Sequence, residues 1–162
     1  MSTPMIAPVL QHMIGQLLTI TKANGYYYDV TADQIVDVRK DLEVDGSSQG
    51  PNLSLYVTGW NKLQTGDQAN FGQVLAQVHW AVDIAINVQA DSTLEMMQAA
   101  ADVERALKKD YSQGGTCKNT TSPDLSIFGF SLSGWYHASL TGDVLVPWGE
   151  NDPSSEFSTT YN

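Results

Sequence analysis

The chain reads as an α+β fold, a mixed, mostly antiparallel sheet with two amphipathic helices packed on one face. Three observations predict it. Ile6, Leu10, Met13, Leu17 and Ile20 recur at spacings of three or four, which places them on one face of a helix. Val74, Ala76, Val78, Trp80, Val82, Ile84, Ile86 and Val88 alternate with Gln77, His79, Asp83, Asn87 and Gln89, the period of a strand with one apolar face. Met96, Ala100, Val103 and Leu107 return to the helical period. A chain of 162 residues is expected to form one such domain over residues 1–148, followed by a flexible acidic tail at 149–162 rich in Pro, Ser, Asp and Glu.

In chain order, the first helix is expected over about residues 4–22, with Pro4 and Pro8 tolerated in its opening turn and Asn24-Gly25 supplying a left-handed residue to close it. Tyr26-Tyr27-Tyr28 has the aromatic content of a strand, and a further strand is expected over 35–44. Asp45 to Asn52 is small, polar and rich in breakers, so it predicts an exposed turn. Leu53, Leu55, Val57 and Gly59 then alternate with Ser54, Tyr56, Thr58 and Trp60 as a strand. From Trp60 to Gly72 no period survives, and a loop of that length is a candidate contact surface. The strand over 74–88 would span about 50 Å at 3.3 Å per residue, more than a small domain needs, which suggests pairing outside the monomer. Ser92 and Glu95 are spaced as a capping box for the second helix, which should close near Asp110 with Lys108 and Lys109 in its last turn. Strands follow at Ile127–Leu132, Trp135–Ala138 and Asp143–Trp148, with Thr141-Gly142 as a turn between the last two.

Charge narrows the function. Eight basic against eighteen acidic residues give a formal net charge of −10, which opposes tight nucleic-acid binding but suits a wall past which DNA slides as cargo. Cys117 is the single cysteine, so no disulfide can close within the chain, and it has no metal-ligand spacing with the three histidines. Met1-Ser2-Thr3-Pro4-Met5 has no secretion-signal pattern and no apolar run reaches the roughly 20 residues of a membrane span, so a soluble protein made in the cytoplasm is expected. The sequons at Asn52 and Asn119 carry no meaning in that setting.

No catalytic motif is complete. Gly129-Phe130-Ser131-Leu132-Ser133 approaches a nucleophile elbow, but Ser133 replaces the final glycine and no helical pattern follows. His79 and His137 fall in expected strands, where a wetter sheet face accounts for them better than general-base chemistry. Asp29, Asp33, Asp37, Asp41 and Asp45 recur every fourth residue without the spacing of a calcium loop, and read as a solvated acidic surface. Trp60, Trp80, Trp135 and Trp148 could stack sugars or bases, though core and interface packing are the commoner uses of tryptophan. The expectation is a chain with no cofactor and no metal that is not an enzyme.

Leu17-Leu18-Thr19-Ile20-Thr21-Lys22-Ala23-Asn24-Gly25-Tyr26-Tyr27-Tyr28-Asp29-Val30 resembles the end of the first helix in bacteriophage tail-terminator and minor-tail (tail completion) proteins. Ala101 to Asp110, followed by Gly114-Gly115, is similar to their second helix and its glycine turn, and Pro51-x-Leu53-x-Leu55-x-Val57-x-Gly59 is similar to their second strand. The resemblance runs in order over about residues 10–115, and departs from the pattern in the serine-glycine loop at 45–50 and the acidic tail, which could belong instead to a neck or head-completion protein. It implies a homo-oligomeric ring, a hexamer, on the last ring of the tail tube in the virion, with the tail tube protein on one side and a neck or head-tail connector protein on the other. Candidate ring contacts are Lys62, Asp67 and Phe71 in the long loop, with Arg39 and Lys40 before it.

Overall fold

A computed structural model describes residues 6–38, 42, 51–63, 73–87, 92–109, 119–120, 124–130 and 134–149. Helix α1 spans Ile6–Leu17 and helix α2 spans Ser92–Lys108. The strands are β1 (Ile35–Val36), β2 (Asn52–Leu63), β3 (Gln73–Asn87), β4 (Asn119–Thr120), β5 (Asp124–Phe130) and β6 (Trp135–Gly149). They form one mixed sheet in the order β1-β2-β3-β6-β4, with β5 also on β6. Among the described residues only the β1–β2 pairing is parallel. Beyond β6 the far edge is made of β4 and β5 in line, since Asn119 pairs with Leu145 and Asp124 with Thr141. The expected α+β class is the observed one.

The helices share one face of the sheet. Helix α2 packs on β3 and β6, α1 packs on β2, and the two touch. Val9, Met13 and Leu17 of α1 and Met96, Ala99, Ala100, Val103, Ala106 and Leu107 of α2 are buried there. Beneath them lie Leu53 and Leu55 of β2, the even-numbered residues Ala76 to Ile86 of β3, and Ala138, Leu140, Val144 and Val146 of β6. The centre of the α1 stripe is thus Val9 rather than Leu10, which packs at its margin. A second, smaller cluster of Leu42, Ala85 and Trp135, with Val36 against it, covers one end of the other face.

Several boundaries differ from the sequence reading. Helix α1 stops at Leu17, not near residue 22. Its last turn tightens, Thr19 N–H and Oγ1 both donating to Gln16 O, and the β-branched run Thr19-Ile20-Thr21 then leaves the helix. Gly25 is left-handed at φ 84°, but it closes a separate 3₁₀ turn at Lys22–Asn24. Tyr26–Tyr28 form no strand. The N–H of Tyr26 donates to Thr21 O and those of Tyr27 and Tyr28 to Asp102 of α2, instead of to a ladder. Of the strand expected over 35–44, Ile35–Val36 is found, residues 37, 38 and 42 are not strand, and 39–41 and 43–44 lie outside the described residues.

Strand β2 runs three residues further than expected, through Asn61 to Leu63, so the loop reading fails over 60–63 while 64–72 lie outside the described residues. A β-bulge between Val57 and Gly59 explains the misreading, because one extra residue inverts the inward-outward phase for the rest of the strand. Strand β3 matches its expected span to within a residue. Its length is not spare, however. Gln73–Asn87 pairs with β6 throughout and Leu75–Ala85 pairs with β2, so β3 is central and both its edges are occupied within the monomer.

The expected turn at Thr141-Gly142 is absent, and β6 is one continuous strand in which Gly142 pairs with Trp80. A Cβ on residue 142 would lie 2.8 Å from Trp80 Cε2 and closer still to Cζ2. The glycine is therefore a seat for the indole, not a turn residue. Gly149 ends β6, and the remainder of the expected tail lies outside the described residues.

Candidate functional site: two sheet edges and a polar face

The loop from Ile20 to Val30 is clipped at its base, where Val30 N–H donates to Ile20 O at 2.8 Å. Inside it, Lys22 N–H donates to Asp29 Oδ1 at 2.7 Å and Asn24 Nδ2 donates to Thr19 O at 2.8 Å. Three contacts fasten this loop to α2. The Asp102 carboxylate accepts from Tyr27 N–H at 3.0 Å and Tyr28 N–H at 2.9 Å, Arg105 Nη1 donates to Gly25 O at 2.8 Å, and Tyr28 Oη donates to Glu95 O at 3.3 Å. The Arg105 guanidinium also lies 4.5 Å above the Tyr26 ring, with Lys109 Nζ 5.0 Å from the same ring.

Asp102 is 2% exposed. Burial raises its pKa above the ordinary carboxylate value, against the lowering effect of the two backbone N–H donors and Arg105. Burial likewise raises the Tyr28 phenol, helped by the negative charges of Glu95 and Asp102. Both residues are parts of a clasp between the 20–30 loop and the middle of α2.

The sheet face away from the helices carries a second polar array. His79 on β3 and Asp143 on β6 are direct cross-strand partners, and His79 Nδ1 bonds Asp143 Oδ1. Gln77 Nε2 donates to Asp143 Oδ2 at 2.8 Å, Asn61 Nδ2 lies 3.2 Å from His79 Nε2, and Tyr56 Oη donates to Asp83 Oδ2 at 2.9 Å. The His79 and Asp143 side chains are 36% and 29% exposed. A histidine oriented by a carboxylate is two-thirds of a hydrolytic triad, but here the second ring nitrogen meets an amide, which supplies no nucleophile. The array is a hydrogen-bonded ladder across three strands. His137 pairs with Ala85, six residues along β3 from His79, so about 20 Å separates the two histidines and they share no site.

The edges of the sheet are the other notable surface. On β2, β1 pairs only with Leu53 and Ser54, and among the described residues no strand runs along the rest of that edge. Thr58 and Asn61 are exposed there, and Trp60 beside them is 45% exposed. On the opposite side, among the described residues, β4 and β5 pair with β6 alone. Lys62 lies on the β2 edge strand, in register with Ala76. Arg39, Lys40, Asp67 and Phe71 lie outside the described residues.

Of the four tryptophans, Trp80 and Trp135 are buried, on opposite faces of the sheet, and Trp60 is exposed, so these three form no common stacking platform. Of the five aspartates read as a solvated acidic surface, Asp29, Asp33 and Asp37 are exposed, and Asp41 and Asp45 lie outside the described residues. Among the described residues no group of three or more His, Cys, Asp or Glu could hold a metal ion. No helix among them is long and apolar enough to cross a membrane. Sequence reasoning missed Asp102 and Arg105 as partners of the tyrosine run, because 75 and 80 residues separate donor and acceptor. No protein-family model matches the chain, and no curated protein is significantly similar to it.

Proposed function

We propose that this chain is a structural protein of a tailed bacteriophage, a tail terminator whose copies close into a ring, a hexamer, that caps the tail tube, ends its polymerisation and joins it to the neck. The reading rests on the resemblance of residues 10–115 to that family. One observation supports it above the others. The two short segments that carry most of the resemblance, Leu17–Val30 and Ala101–Asp110, meet in space, with Asp102 and Arg105 gripping the backbone at Gly25, Tyr27 and Tyr28. The clasp thus joins the two segments on which the reading rests most.

A closed ring needs two different complementary surfaces on each subunit, and the two sheet edges supply them. The net charge of −10 suits a conduit through which DNA passes without sticking. Partners are further copies of the chain, the tail tube protein and a neck or head-tail connector protein. The work is done by assembly, with no chemical step, in the virion tail or neck after synthesis in the host cytoplasm. A neck, head-completion or tail-tube role uses the same surfaces and differs in whether one ring or many stacked rings result.

The proposed role of the segment after β2 as a ring contact is tested by replacing residues 65–71 with Asn-Gly, a substitution that spares the β2 residues through Leu63. The variant should fold with the thermal stability of the parent and fail to assemble. Rings of unchanged size would refute a contact role for Asp67 and Phe71.

A further inference from the structure

We infer that neighbouring copies join by strand addition, the edge of β2 around Thr58, Gly59 and Asn61 pairing with the β4–β5 edge of the next subunit. The inference rests on the ring reading and names the contact that builds the ring. An edge strand presents a row of backbone donors and acceptors that proteins ordinarily blunt with charge, proline or a cover. Strand β2 has twelve residues and β1 pairs with two of them. Between Val57 and Leu63 there is no proline, and Lys62 is the single charged residue. Strand β5, Asp124-Leu125-Ser126-Ile127-Phe128-Gly129-Phe130, likewise has no proline and one charge, Asp124, opposite in sign. In a chain with 26 charged residues, these two edges carry little charge and no proline, and among the described residues only β1 lies along either of them.

The topology matches a second copy as the occupant. Strand β2 is antiparallel to β3, β3 to β6, and β6 to β4 and β5, so β2 runs antiparallel to the far edge. Copies set side by side in one orientation would therefore present antiparallel edges to each other, the more stable ladder. A single row of the sheet even gives the register, because Asn61 aligns with Gln77, Gln77 with Leu145, and Leu145 with Asn119. Without stagger, Asn61 of one copy meets Asn119 of its neighbour and Tyr56 meets Asp124, while Ser126 and Ile127 face Ser54 and Leu53, which β1 already pairs, so the contact lies on β4 and the start of β5. The exposed indole of Trp60 would be covered by that contact.

The test uses full-length protein carrying Cys117→Ser, one preparation with Asn61→Cys and a second, of different mass, with a cysteine at one of positions 119, 120 or 124–130. Each pair is mixed at high concentration and mildly oxidised. Opposed Cα atoms in an antiparallel ladder lie about 4.5–5.5 Å apart, within disulfide reach. A mixed-mass disulfide dimer confined to one or two neighbouring positions is expected, strongest near Asn119. Amide exchange at Thr58, Gly59 and Asn61 should also slow at least about tenfold on assembly. Rings that form while no position cross-links and these amides exchange as in the monomer would overturn the inference and leave the ring reading standing. Cross-linked chains that never close would support the edge contact and sink the ring. A protein that neither assembles nor cross-links would overturn both.

Discussion

Trp80 stands directly opposite Gly142 across the β3–β6 ladder, and its indole fills the space that a side chain at 142 would need. Trp80 is 1% exposed and packs within the core between sheet and helices. Gly142→Ala should therefore overpack the core and cost about 1–3 kcal/mol. Denaturant unfolding measures it. Trp80→Phe in the same background should recover part of the loss, a coupling that a double-mutant cycle resolves.

Removing the Asp102 carboxylate should open the clasp. Asp102→Ala leaves the N–H groups of Tyr27 and Tyr28 without their acceptor, at about 1–3 kcal/mol for a buried group so orphaned. The pH dependence has a defined sign. Because burial raises the folded-state pKa above the unfolded value, the folded protein holds this proton more tightly. Its contribution is fully present below the unfolded pKa and is lost as pH rises through the folded one. Asp102→Asn, which cannot titrate, should flatten that part of the stability profile in the acid range.

Arg105 serves the clasp twice, through Gly25 O and through the face of Tyr26. Arg105→Ala is expected to cost about 1 kcal/mol, from one charged hydrogen bond and one exposed cation–π contact. Arg105→Lys should restore little of it, since an ammonium cannot stack its plane on the ring while reaching the carbonyl. Thermal melts of the three proteins compare them directly.

The His79 ring has a tautomer that the ladder dictates. With Asn61 Nδ2 donating to Nε2, the neutral ring carries its proton on Nδ1, toward Asp143. Nitrogen-15 spectra of the imidazole should show the Nδ1–H form. An Nε2–H ring would mean that the Asn61 amide is turned over and accepts. His79→Ala should change stability by less than about 1 kcal/mol, as expected for a pair of partly exposed side chains.

The parts of this fold legible in the sequence are those governed by one uninterrupted period. Strand β3 keeps its alternation through fifteen residues and helix α2 keeps its stripe from Met96 to Leu107, and both are found where the pattern puts them. What stayed hidden depends on partners far along the chain. Tyr26–Tyr28 have strand propensity, but Thr21 O takes the N–H of Tyr26 and Asp102 those of Tyr27 and Tyr28. Thr141-Gly142 has the composition of a turn, and only the neighbouring Trp80 shows why glycine is needed inside a strand. At Val57–Gly59 a single bulge inverted the phase, so Trp60 to Leu63 read as loop. The polar ladder was legible as two histidines on strands, but not as a pairing of His79 with Asp143, which requires the β3–β6 register.

Electron microscopy of the purified full-length protein at high concentration tests the central claim most directly. Closed rings one subunit thick that do not stack, with their sheets joined edge to edge, are the expected result. Tubes that lengthen with concentration would assign the chain to the tail tube itself, and isolated subunits holding a small molecule over His79 and Asp143 would contradict the structural role altogether.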